Sequence, residues 1–387
     1  MEIKGWVMTG AFIAALAVTT GANLLTPSRD YSETENRYLQ QMPAFTSDNL
    51  FSGRFTKDFD TYASDQFWNR DGWVGMKTLS QLALLQKDNG RVYFGKDNTL
   101  FEKTTAFSPS RVDANCEAVA EFLSRVKDLS PDTRSRVMLV PTAAAIDRDK
   151  LPLLAPVADE GAVIDRMKSA AGDALIDPTG LLLQHKEEGL YYRTDHHWTT
   201  AGAYYGYTAF AGGMGFAPAP KESFQIQTVT DQFYGTLYSK ANLHTIPPDR
   251  IETYTPTPAV SSAVSWQETT GQGTASALDS LYDASYLEQK DKYAYFLGGN
   301  HPLTRINTDT KNGRTLLLLK DSYANALVPF LTAHYEHLVL VDLRYYKQSI
   351  APLFDEGIDD LLILYNVSGF AEEKTVAAGL PVALPAE

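Results

Sequence analysis

An uninterrupted run of apolar and small residues, 5–25, opens the chain behind Lys4 and holds no charged side chain. As a helix rising about 1.5 Å per residue, it just crosses a roughly 30 Å hydrocarbon layer. Either an uncleaved anchor or a signal peptide cut at the small residues Thr19–Asn23 fits this pattern. Everything beyond Asp30 is then extracytoplasmic. No other run is long enough, so the chain crosses a membrane at most once.

Four shorter apolar runs recur downstream: 136–140, 315–319, 338–341 and 361–364. They are continuous rather than alternating, which predicts strands buried on both faces of a parallel sheet. Helical spacing marks 112–129 and 323–335, and Thr199 is placed to cap a helix from 200 onward. The turn at Gly95-Lys96-Asp97-Asn98 predicts a hairpin over 91–101. Helices alternating with buried strands indicate an α/β domain.

Two stretches break that rhythm. Residues 222–292 are rich in Thr, Ser, Gln and Tyr and predict an inserted set of loops and edge strands, where Tyr234, Tyr238, Tyr254, Trp266 and Tyr282 either stack on sugar rings or form a small core. Residues 26–55 predict an extended stalk, and 50–87 a helical region whose aromatics serve core and stalk packing rather than a sugar platform. The expected organisation is 1–25 membrane segment, 26–90 stalk and helices, and 91–387 α/β domain.

With 44% hydrophobic and 21% charged residues, 387 residues suffice for a large core. A net charge of −13 argues against nucleic acid, whose phosphates require clustered Lys and Arg. Cys116 is the single cysteine, so an intrachain disulfide is impossible.

Candidate chemistry concentrates at two separated places. Thr194-Asp195-His196-His197-Trp198 holds a carboxylate and two imidazoles in consecutive positions, and Lys320-Asp321-Ser322 lies between a strand and a helix. A serine hydroxyl is a poor nucleophile until an imidazole takes its proton and a carboxylate fixes the imidazole tautomer. Ser322, His197 and Asp195 supply that set. Ser322 as a simple helix cap, Asp195 bonded to its own loop, and the histidines as a metal site are the competing readings. Adjacent ligands seldom converge and no HExxH or Cys cluster accompanies them, so no metal and no cofactor is expected.

The Asp-His-His-Trp block resembles the bacterial cell-envelope proteins named for that motif, which are similar to the SGNH-like O-acetyltransferases of exopolysaccharide export, alginate acetyltransferases among them. Other stretches fit the same pattern in order: Ser32-Glu33-Thr34-Glu35-Asn36-Arg37, Asp65-Gln66-Phe67, Val92-Tyr93-Phe94-Gly95-Lys96, Gly298-Gly299-Asn300 and Asp321-Ser322-Tyr323. The resemblance implies an SGNH-hydrolase-like, flavodoxin-like parallel sheet flanked by helices, with the serine after the Asp/His block, a circularly permuted order. It implies nucleophile Ser322, base His197 and orienting Asp195.

An oxyanion would be held by Tyr323 N–H at the helix start and by Asn366 or Asn300, each also an ordinary turn asparagine. Arg344 either clamps an anionic sugar or pairs with Asp342, and Trp198 is a second substrate-binding candidate. The function expected is an acyltransferase or esterase acting on O-acetyl groups of a cell-surface glycan, with a membrane-bound acyltransferase as the donor's source. The alternative is a non-catalytic glycan-binding or assembly protein of the envelope.

Overall fold

The structure is a computed structural model that describes residues 2–32, 34–35, 37–243, 245–267 and 275–384, so Glu33 and Asn36 of the first family stretch, and Glu387, lie outside the described residues. It divides into two compact units, Met1–Asn89 with Tyr238–Thr245, and Gly90–Leu237 with Ile246–Glu387.

In the first unit the apolar run forms helix α1 (Glu2–Leu25), followed by α2 (Arg54–Asp65) and α3 (Arg70–Ala83). The stretch Gly5–Leu25 is long and apolar enough to cross a membrane, and none of it is buried. Charged residues of the early family stretches pair with one another. Arg37 binds Asp65 and Glu35, both at 2.6 Å, and Arg70 binds Glu35. The Arg37 hydrogen bond is the largest influence holding the buried Asp65 carboxyl below its usual range. The aromatics of this unit are packed in part and exposed in part. Phe55, Phe59 and Tyr62 form a row along α2, but Phe51 is 88% exposed and Trp73 44%.

The second unit is built on an eight-stranded sheet. In chain order its strands are β1 (Arg134–Val140), β2 (Leu175–Ile176), β3 (Ser262–Gln267), β4 (Ala275–Leu278), β5 (Leu303–Thr308), β6 (Thr315–Lys320), β7 (His337–Val341) and β8 (Asp360–Asn366). They lie in the order β4-β3-β5-β7-β6-β8-β1-β2, parallel from β7 to β2 and antiparallel on the other flank. The sheet is therefore mostly parallel and extended at one edge by the polar insertion, whose strand β3 pairs with β5 on one side and with β4 on the other.

Why the apolar runs are continuous follows from the packing. Leu316 and Leu318 of β6 face one core with Leu338, Leu340, Leu362 and Leu364, while Leu317 and Leu319 face another with Val339, Val341, Leu361 and Ile363. Helix α4 (Pro109–Leu129) and helix α5 (Glu160–Ala171) cover the second face, and α6 (Thr200–Met214) with α7 (Ala324–Leu331) covers the first. Two-sided burial removes the polar alternation of a half-exposed strand. Cys116 lies in α4, and burial pushes its thiol up to about 11, which keeps it unreactive. Of the insertion's aromatics, Tyr254 and Trp266 are buried in the core of the fold, so they are not free to stack on sugars.

Candidate functional site

Strand β6 ends at Lys320, and the chain turns through Asp321 and Ser322 before α7 begins at Ala324. That turn lies at the carboxyl edge of the parallel strands, where open α/β sheets leave room for ligands. Its shape is set by Asp321, whose carboxylate accepts from Tyr323 N at 2.8 Å, from Asn366 N at 2.8 Å and from Asn366 Nδ2 at 2.7 Å. The turn is thereby tied to the end of β8.

The Asp-His-His-Trp block occupies the loop before α6. An antiparallel bridge pairs Tyr191 with Trp198, and Thr199 N donates to Leu190 O at 2.8 Å, so the loop doubles back on itself. Thr199 caps α6 by accepting from Gly202 N. Asp249 holds the loop from below, accepting from Thr194 N at 2.8 Å and Thr194 Oγ1 at 2.6 Å. Two bonds then join this loop to the serine turn. Trp198 Nε1 donates to Tyr323 O at 2.8 Å, and Tyr323 Oη donates to His196 O. Trp198 fits only because residue 206 on α6 is glycine: a Cβ there would come within 2.5 Å of the indole.

The outcome is a line of three groups. His197 Nε2 lies 2.7 Å from Ser322 Oγ, and His197 Nδ1 lies 2.5 Å from Asp195 Oδ1. The backbone N–H of His197 also donates to Asp195 Oδ1, at 3.0 Å, which is what an i, i+2 spacing allows in a tight loop. Asp195 Oδ2 accepts from Thr236 N at 2.7 Å and Thr236 Oγ1 at 3.0 Å. The ring of Tyr293 stacks on His197 at 3.7 Å and 9°, while its hydroxyl donates to Ser322 O at 3.2 Å. His197 is thus fixed on its face and at both nitrogens.

Electrostatics follow from this burial. Burial works to raise the Asp195 carboxyl, but attraction to His196 and His197, with hydrogen bonds from His197 and Thr236 N, outweighs it and keeps Asp195 ionised. Burial pushes the His197 imidazole down to about 4, aided by repulsion from His196 and opposed by Asp195. At neutral pH the ring is uncharged and able to take a proton. Asp195, His196 and His197 offer possible ligand atoms within 4.8 Å of one another. Both nitrogens of His197 are already engaged, and His196 Nδ1 bonds Thr236 Oγ1 at 2.7 Å, so the cluster is organised for hydrogen bonding along one line.

The remaining sequence candidates are placed differently. Tyr323 N–H donates to Asp321 rather than outward, so it is not free to meet an oxyanion. Asn366 donates one amide N–H to Asp321 and accepts from Gly369 N on Oδ1, and with Asp195, His196 and Tyr323 it lines a cleft of about 40 Å³. In Asn300 the carbonyl is engaged, by Lys320 Nζ at 3.0 Å and Asn325 Nδ2 at 3.3 Å. Arg344 has its fork on Asp342, at 2.9 and 2.6 Å, which answers the sequence alternative in favour of the pair. Trp198 is fully buried and so does not present a surface to substrate.

Two residues beside this line, Thr236 and Tyr293, carried no sequence signal, coming from the polar insertion and its far end, whereas Lys320 stood in the Lys-Asp-Ser motif without an assigned role. Lys320 is buried, donates to Asn300 and to Asn325 Oδ1 at 2.5 Å, and burial lowers it to about 8. A fourth, Glu160, is buried in the same cleft and pushed up to about 7, although Thr142 N and Oγ1 donate to it.

Gly235 gives a test of Asp195's placement. A Cβ there would fall 2.2 Å from Asp195 Cβ and 2.4 Å from Oδ2. Gly235→Ala is expected to displace that carboxylate and lower turnover by about 10²-fold, the scale of a misplaced catalytic group. Turnover measured beside the thermal melting curve checks this; wild-type activity in a folded variant would show that Asp195 tolerates the shift.

Two solved structures share this arrangement of elements. A DHHW family protein from Eubacterium siraeum is 24% identical with a TM-score of 0.60, over 77% of this chain and 100% of the other. Bacillus cereus PatB1, solved with a sulfonyl adduct, is 19% identical with a TM-score of 0.60, over 73% and 96%. The O-acetyltransferase domain of Pseudomonas putida AlgJ is more distant, at 15% and a TM-score of 0.44, over 75% and 98%. No curated protein matches the sequence. The DHHW protein family matches residues 135–341, a span that holds Asp195, His197 and Ser322 and exceeds half of the chain, and the chain belongs to that family.

Proposed function

We propose that this protein is an SGNH-like serine acyltransferase that moves an acetyl group onto a hydroxyl of a cell-surface glycan. The carrying observation is the hydrogen-bonded line from Ser322 Oγ through His197 to Asp195. Ser322 Oγ attacks the acyl carbonyl carbon as His197 Nε2 takes the hydroxyl proton. The developing oxyanion is met by the Asn366 amide. The donor's acyl bond then breaks, and His197 returns the proton to the leaving group. In the second half a glycan hydroxyl gives its proton to His197 and its oxygen attacks the acyl-serine, releasing Ser322 Oγ, which takes the proton back. Asp195 holds the imidazole in the tautomer that both halves need.

Three further facts support this reading. A small cleft lined by Leu100, Phe101 and Ala143 adjoins the line of groups at Asp195, His196 and Asn366. PatB1, similar in fold, was solved with a sulfonyl adduct. The assembled line also favours catalysis over the alternative of a glycan-binding protein that merely keeps the fold, for which dispersed groups would be expected. The test is intact-mass analysis after incubation with an activated acetyl ester: one acetyl on Ser322 supports the proposal, and an unmodified chain under conditions of turnover overturns it.

We further propose that α1 anchors the chain in the cytoplasmic membrane with all later residues outside, where a membrane-bound acyltransferase supplies the acyl group. A tag fused after Glu387 is expected to be digested when protease is added to cells stripped of their outer layers. A protected tag would overturn the topology and the cell-surface glycan together.

A further inference from the structure

Three of the exposed aromatics of the first unit, Phe67, Trp68 and Trp73, lie beside the C-terminal end of α1. We infer that Phe67, Trp68 and Trp73 form an aromatic anchor seated in the lipid headgroup region where α1 leaves the bilayer, an inference that rests on the membrane reading of α1 given above. Trp68 N donates to Asn23 Oδ1 at 2.7 Å, and Asn23 lies in the last turn of the apolar stretch Gly5–Leu25. Just beyond, Arg29 N donates to Gln66 Oε1 and Gln66 Nε2 donates to Arg29 O, both at 2.9 Å. Residues 66–68 are therefore bound to the end of α1 by side chains at two heights. When Gly5–Leu25 fills the hydrocarbon layer, Trp68 stands within about one helical turn of its boundary.

The chemistry of this corner suits that depth. Phe67 is 39% exposed and Trp68 36%, alongside the bare Leu24 and Leu25 of the helix end. Aromatic rings with a polar edge collect at membrane interfaces because one side is apolar and the other wet. Trp73 Nε1 already donates to Trp68 O at 3.1 Å, so that ring enters lipid without stranding a donor. Three neighbouring carboxylates are paired: Asp71 with Arg29 at 2.9 Å, Asp65 with Arg37 at 2.6 Å, and Glu35 with Arg37 and Arg70. An unpaired carboxylate at this depth would repel lipid phosphates, and these are paired. A partner protein would satisfy the exposed rings too, but the height of the corner follows from α1 alone, which favours lipid.

The five tryptophans allow a direct test, because Trp198 and Trp266 are buried in the second unit and give a constant background. The full chain is reconstituted in phosphatidylcholine vesicles whose acyl chains carry bromine, a contact quencher, near the headgroup or near the midplane. W6F/W73F isolates Trp68, W68F/W73F isolates Trp6 within α1, and the triple variant gives the background. Trp68 emission above background is expected to be roughly halved by the shallow bromines and much less by the deep ones, as for an interfacial ring. Quenched Trp6 with unchanged Trp68 would overturn the anchor corner and leave the membrane helix standing. Neither quenched would overturn both. A photo-crosslinking Trp68→p-benzoylphenylalanine chain in cells separates the occupants: lipid adducts support the inference, and a single protein adduct overturns it.

Discussion

Ser322→Ala is expected to abolish the acyl-enzyme and to lower acetyl transfer by about 10⁴- to 10⁶-fold, the range in which members of a catalytic unit act. The loss is chemical rather than structural. Ser322 contributes a single hydroxyl whose partner is His197 Nε2, and the bond from Tyr293 to its carbonyl uses backbone that alanine keeps. His197→Ala is expected to lose about as much, and the double variant about the same again, because the two groups serve one proton transfer. Rates with an activated acetyl ester and with a glycan acceptor measure both halves. A Ser322→Ala enzyme keeping a tenth or so of its rate would remove the serine from the chemistry, far outside that range.

The second large effect is that of Asp195→Asn, together with the pH profile. The asparagine keeps the shape of the loop but loses the anion that selects the His197 tautomer, and turnover is expected to fall by about 10⁴-fold. In the wild type, activity requires neutral His197. Protonation of that ring on its way below about 4 removes the base, so kcat/KM is expected to hold through mildly acidic pH and to fall as pH drops through about 4. His196 contributes to that low value by repulsion. His196→Ala is therefore expected to retain most of the rate while its acid limb moves upward. A loss equal to that of His197→Ala, with no displacement of the limb, would point to a shared metal or an exchanged role.

Much of the scaffold was legible because burial on two faces leaves a plain mark. The runs in β1, β6, β7 and β8 are continuous and apolar for the reason the structure displays, a core against each side of the same strand. The helix beginning at Thr200 was legible from its threonine cap. Less legible was where hydrogen bonds would go. Tyr323 N–H reads from sequence as a free helix-start donor, and only the turn shows that Asp321, two residues earlier, takes it. The aromatics of 50–87 have helical spacing, which reports a shared face but says nothing about whether another element covers it.

By itself the sequence determined the chemistry available: one carboxylate and one imidazole two residues apart, and a serine at a strand end some 125 positions on. It determined as well that residues 5–25 are long and apolar enough to cross a membrane, since length and the lack of charge are local properties. Only the tertiary structure decided that these groups meet, because their approach depends on Trp198 and Tyr323 bonding across the two motifs and on Asp249 holding the loop. It decided, too, which neighbours act on them. Thr236 and Tyr293 reach Asp195 and His197 from segments whose composition is that of ordinary polar loops, and hydrogen bonds between residues distant in sequence leave no periodic trace from which to read them.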